Sequence, residues 1–203
     1  MTQPVSQFLG WWLLPGIVVS VSPYLRGQAL ELRWTGDEIR VAAPKLHFLQ
    51  GRVLERLRDG SPVMMGLQVS VAADNRANIL RRVAERITVS YDLWEEKFAV
   101  LTRRSSQPVA HANAAGAEGY CLAQLAVRVS DLPAGRNLWF KLDVRVEEPD
   151  ESQTGSPPTL RDLVDTFSKT RPKPDQHWTV EAGPVRLEDL KRRAAAERKT
   201  ASL

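Results

Sequence analysis

Ten consecutive residues in this chain alternate without a break. Between Leu138 and Glu147, one parity holds Leu138, Phe140, Leu142, Val144 and Val146, and the other holds Trp139, Lys141, Asp143, Arg145 and Glu147. A period of two puts each set on its own face of a strand, so the segment needs a core against one side only. The pattern recurs upstream. In Val63–Ala73, Leu67, Val69 and Val71 alternate with Gln68 and Ser70. In Arg82–Leu93, Val83, Ile87, Val89 and Tyr91 oppose Arg86, Thr88 and Ser90, and Lys97–Arg103 follows. The turn-forming run Asp74–Asn78 separates the first two, and Asp92–Glu96 the second and third, which predicts a three-stranded antiparallel meander.

The remaining segments supply partners for these strands. Leu30–Trp34 and Glu38–Ala42 flank Thr35-Gly36-Asp37 and predict a hairpin. A helix is predicted from Pro44 to Arg58, with Leu46, Leu49, Val53 and Leu57 on one face and Asp59-Gly60-Ser61-Pro62 as its stop. A second is predicted from Ala117 to Asp131, carrying Cys121, Leu125 and Val129, and a short third after Thr159 with Leu160, Leu163, Val164 and Phe167. A last strand, interrupted at Gly183-Pro184, is expected between His177 and Leu187. The expected architecture is α+β: an antiparallel sheet of about six or seven strands with two or three helices packed mainly on one face. It occupies residues 30–187 as one domain, between an apolar N-terminal segment (1–29) and a basic, flexible tail (188–203).

The apolar run Phe8–Val21 carries no charge, and its length suits the hydrophobic region of a signal peptide better than a membrane span. Small residues at Gly27 and Ala29 would permit cleavage after Ala29. Export, with residence in the periplasm or attachment to the membrane, is the expectation. The alternative is a cytoplasmic protein whose apolar N-terminal segment packs on the core. The formal net charge is +4, from 28 basic and 24 acidic residues. Most of that excess falls from Arg186 onward, where Arg186, Lys191, Arg192, Arg193, Arg198 and Lys199 outnumber Glu188, Asp189 and Glu197. A body this balanced lacks the basic face of a nucleic-acid binder, so nucleic acid is not the expected partner.

Nothing in the sequence spells out a reaction. One cysteine, Cys121, excludes an internal disulfide and any multi-thiolate zinc site. His47, His111 and His177 have no metal-binding spacing, and neither a G-x-S-x-G elbow nor a Gly-rich phosphate loop occurs. The acidic pairs Glu95/Glu96 and Glu147/Glu148 sit at a turn and a strand end, where carboxylates are ordinarily solvated. No catalytic residue, metal site or cofactor is therefore expected. The best-supplied surface is the polar parity of the strand that opened the argument. Trp139 shares that face with Lys141 and Arg145, and Arg86 of the meander can extend it. Were the helices to cover only the apolar side, this patch would be solvated and free to bind a partner, because Trp and Arg are enriched at interface hot spots.

The order of parts resembles a family of small bacterial exported proteins, domain-of-unknown-function family 4390. The resemblance rests on Leu57-Arg58-Asp59-Gly60-Ser61-Pro62 before the apolar strand from Val63, on Arg86-Ile87-Thr88-Val89-Ser90-Tyr91-Asp92-Leu93 followed by Phe98-Ala99-Val100, and on Asp131-Leu132-Pro133-Ala134-Gly135 before the next strand. It spans roughly residues 30–187 and implies export with no catalytic residue or cofactor to carry over. The expected function is accordingly a non-enzymatic exported or envelope-associated module that binds a protein or a membrane surface. The alternative is a cytoplasmic interaction protein using its basic tail for nucleic acid or another anionic partner.

Overall fold

The computed structural model describes residues 30–147 and 176–201. Nine strands form two antiparallel sheets among them. The larger has six strands in the order β6-β5-β4-β3-β8-β9: β3 (Val63–Ala73), β4 (Ile79–Asp92), β5 (Lys97–Thr102), β6 (Val109–His111), β8 (Leu138–Glu147) and β9 (His177–Val185). The smaller has the order β1-β2-β7: β1 (Glu31–Thr35), β2 (Glu38–Ala42) and β7 (Ala126–Arg128). Three α-helices accompany them among the described residues: α1 (Arg52–Arg58), α2 (Ala114–Ala123) and α3 (Leu187–Ala201). The α+β class is as expected, with a main sheet of six strands; the N-terminal hairpin belongs to a separate sheet.

Register explains the core. Val69 of the central strand β3 pairs with Val83 on one side and Leu142 on the other, so the apolar parities of β3, β4 and β8 fall on one face. Val63, Met65, Leu67, Val69, Val71, Ile87, Phe140 and Leu142 are fully buried there. Ile39 and Val41 of β2, Val53 and Leu57 of α1, and Cys121 and Leu122 of α2 join the same cluster. The small sheet and the helices therefore cover one side of the large sheet. Each buried Leu, Ile or Phe adds about 1.5–3 kcal/mol of transfer free energy.

Three expectations need correction. The first helix starts at Arg52 rather than Pro44, after Gly51, which adopts φ 56°. Leu46 and Leu49 are buried as expected, but from an irregular segment that buries Phe48 with them. The second helix ends at Ala123, and Ala126–Arg128 leaves it as a strand because Val127 pairs with Ile39 and is buried in the core. Its start is set by Asn113, whose side chain accepts the Gly116 N–H.

The tail expected to be flexible from residue 188 is instead helix α3. Leu187, Leu190 and Ala194, spaced as one helical face, are buried, and this contact with the body supplies the stability that an isolated helix of this length lacks. The helix expected after Thr159 and the N-terminal segment 1–29 lie outside the described residues.

Candidate functional site

The polar face of the large sheet gathers the residues singled out by alternation, and burial changes their character. Gly66 of β3 stands in register with Arg86 on one side and Arg145 on the other, so a residue with no side chain separates two guanidinium groups. Arg86 Nε lies 2.6 Å from Glu147 Oε2, and that carboxylate is almost fully buried. Burial pushes the Glu147 carboxyl above its ordinary value, and the neighbouring Arg86 and Arg145 only partly oppose it. Arg145 is 7% exposed; burial pulls its guanidinium pKa down, against the pull of Asp143 and Glu147. The expectation of a solvated face is thus corrected at its centre, where Gln68, Ser70, Asp143 and Arg145 are all buried. The Glu147 side chain, expected to be solvated beside Glu148, is largely buried as well.

Asp143 anchors the next row, which its register with Thr179 of β9 sets. At 6% exposure it accepts a hydrogen bond from Thr179 Oγ1 at 2.7 Å, lies 3.2 Å from His177 Nε2, and pairs with Lys141 Nζ at 3.2 Å. Three partners around one buried carboxylate keep it satisfied. His177 and Thr179 converge on the same Asp143 oxygen, and the same His177 nitrogen, Nε2, faces both Asp143 and Thr179, so the imidazole does not bridge an acid and a hydroxyl through its two nitrogens as a nucleophilic triad does.

Trp139 closes the row. The Arg76 guanidinium stacks 4.4 Å above its ring while pairing with Glu181 at 3.1 Å. Behind it, a Cβ on Gly183 would stand 3.1 Å from Trp139 Cε3 and 2.7 Å from the Leu138 carbonyl oxygen, so only glycine fits. Trp139 and Lys141 are half-buried, and Arg86 is committed to Glu147. The structure brings all four residues onto one face but engages Arg86 with Glu147, Lys141 with Asp143 and Trp139 with Arg76.

The other candidates stay apart. His47 Nδ1 lies 3.1 Å from Glu118 Oε2, and His111 packs on Tyr120 with ring centroids 4.9 Å apart. No three His, Cys, Asp or Glu side chains among the described residues converge on a metal-sized site. Burial, reinforced by Glu118, pushes the Cys121 thiol up to about 12, which leaves it protonated and inert at neutral pH. At the β4–β5 turn, Asp92 Oδ1 accepts the Trp94 and Glu95 amides and holds Trp94 outward at 97% exposure.

A groove of about 490 Å³ lies elsewhere, between the two sheets. Leu30–Trp34 line one side, Ala182 and Val185 of β9 another, and Leu190, Arg193, Ala194 and Glu197 of α3 the third. Those four positions repeat at i, i+3, i+4 and i+7, one stripe of a helix. Trp34 is fixed there by its indole N–H, which donates to the Gly36 carbonyl at 2.8 Å. The volume falls within the range of ordinary ligand clefts. Sequence reading missed this site because its walls come from opposite ends of the chain; the helical stripe in the tail was the only signal of it. No protein family model, curated protein or solved structure matches the chain.

Proposed function

We propose that this protein is a non-enzymatic, envelope-associated binding module whose recognition site is the groove between β1, β9 and α3. The groove carries this reading: it combines apolar walls from Leu32, Trp34, Val185 and Leu190 with charged residues at its rim, whereas on the polar sheet face Arg86 is paired with Glu147 and Trp139 is covered by Arg76. The uncharged run Phe8–Val21 supports export. Among the described residues no helix is long and apolar enough to cross a membrane.

The test is affinity capture from native periplasm and membranes with the wild-type chain beside Trp34→Ala and Arg193→Glu. The binding reading predicts a partner retained by the wild type and lost by both variants. Equal retention by all three removes the groove from consideration. An intact Met1-initiated chain confined to the cytoplasm removes the export part.

A second reading draws on the exposed cations of α3, Lys191, Arg192 and Arg193, which suit an anionic partner such as nucleic acid. It predicts salt-sensitive association with RNA or DNA that disappears when residues 188–203 are removed.

A further inference from the structure

The groove touches five consecutive residues of the chain, Leu30 to Trp34. Alternate side chains of a strand point to opposite faces, so a cavity that meets every residue in turn runs along the strand's edge rather than over one face. Among the described residues β1 is the outer strand of its sheet, paired only with β2. The hairpin geometry fixes which of its backbone groups face the cavity. Gly36 at φ 64° occupies the first central position of a two-residue turn, a type II′ pattern, so the closing pair Thr35 and Glu38 exchange their hydrogen bonds. Alternation then turns Arg33 and Glu31 toward β2 and leaves the N–H and C=O groups of Leu32 and Trp34 directed outward. The far side of β2 agrees with this phase: the Asp37 carbonyl points away from β1 and accepts the Val129 N–H at 2.8 Å.

We infer that the groove accepts an extended peptide of another protein, which adds as a further strand to β1 with an acidic group placed against Arg193; this rests on the binding reading above. The occupant must offer donors and acceptors at strand spacing to the Leu32 and Trp34 backbone, which a lipid chain or a compact small molecule does not. Its side chains on one parity meet Leu190 and Ala194. The charge requirement comes from the rim. Arg33 is paired with Glu31 at 3.3 Å and Arg192 with Asp189, whereas Arg193 has no acidic partner among the described residues. Glu197, one helical turn on, disfavours an acidic group at that end and so sets the peptide's direction.

The experiment uses the full chain, isotopically labelled, and the synthetic peptide acetyl-EVTVTV-amide, with a version carrying proline at its centre and one carrying lysine for glutamate. Amide hydrogen exchange is read at Leu32 and Trp34 by NMR. Saturating peptide is expected to slow exchange at both amides at least tenfold, roughly what closing a ladder imposes. The proline version fails because it cannot donate to the ladder. The lysine version, and Arg193→Glu with the original peptide, bind about fivefold more weakly or worse.

Protection of both amides already present without peptide overturns the inference, since the chain's own residues then occupy the edge; protection that grows with protein concentration alone assigns the edge to a second copy and overturns it equally. Peptide-induced shifts at Leu190 and Ala194 with no slowing at Leu32 and Trp34 overturn strand addition and leave the groove as a site of another kind. Main-chain pairing tolerates sequence, so absence of binding at millimolar peptide also overturns it. The groove reading survives that result if Trp34→Ala still releases the captured partner.

Discussion

Glu118 and Phe48, seventy residues apart, are joined by a hydrogen bond of 2.6 Å from the Phe48 amide to Glu118 Oε1. The same oxygen accepts the Leu49 amide at 2.7 Å, and the carboxylate is 4% exposed. A side chain of α2 therefore performs for the 44–51 segment the capping that a helix would have done with its own backbone.

Removing that acceptor strands two buried amides. Glu118→Ala is expected to cost about 3–5 kcal/mol, and Glu118→Gln, which keeps one carbonyl oxygen, about 1–2 kcal/mol. Urea unfolding of both variants measures this. A Glu118→Ala loss as small as that expected for Glu118→Gln would mean that the amides find other acceptors.

Glu147 makes the opposite kind of prediction. A carboxyl whose pKa in the folded state lies above its ordinary value of 4.5 holds its proton more tightly folded than unfolded. Its contribution to stability is complete at low pH and falls as pH rises from 4.5 through the raised value. Glu147→Gln resembles the protonated acid, so the variant should match the wild type near pH 4 and exceed it at pH 7, despite losing the ion pair with Arg86. Denaturant midpoints at the two pH values decide the matter. A variant that falls behind the wild type as pH rises would show that attraction to Arg86 outweighs burial.

Trp139 is predicted to behave as part of the structure. With Arg76 stacked on its ring and the Gly183 backbone against its edge, Trp139→Ala should cost about 2–3 kcal/mol, below the full core value because the ring is only half-buried. A loss under about 0.5 kcal/mol, typical of surface positions, would return this residue to the pool of free contact surface.

The C-terminal helix gives a fourth prediction. Leu190→Ala should cost about 2–3 kcal/mol, and deleting residues 188–203 should lower the melting temperature of the whole domain, because Leu190 is buried in the common core. An unchanged melting temperature after deletion would mean that α3 contributes nothing to the body.

The legible parts of the fold are those whose information is local. Val83, Ile87, Val89 and Tyr91 mark β4 by parity alone, and Asp59-Gly60 stops α1 where turn chemistry says it should. The start of α1 was not legible, since residues 44–51 take their shape from the Glu118 carboxylate, a contact no window of sequence contains. Val127 likewise fits a helical repeat with its neighbours until pairing with Ile39 claims it for a sheet. For the site, alternation located Trp139, Lys141, Arg145 and Arg86 on one face but could not tell that Glu147 and Arg76 would engage two of them. The groove depends on bringing residues 30–34 beside residues 182–197, and only the folded chain does that.

The strand edges carry a consequence for behaviour at high concentration. β6 and β7, at the ends of their sheets, are three residues each, too short to template a neighbour. β9, at the far end of the large sheet, includes Pro184, which has no N–H to give, and its ladder with β8 slips between Leu138 and Phe140. A folded copy that approached the β1 edge of another would have only its own β1 or such blunted strands to offer. Edge-to-edge growth then ends at a pair joined through β1, so a fold with one open strand among the described residues can be crowded or stored without polymerising into a continuous sheet.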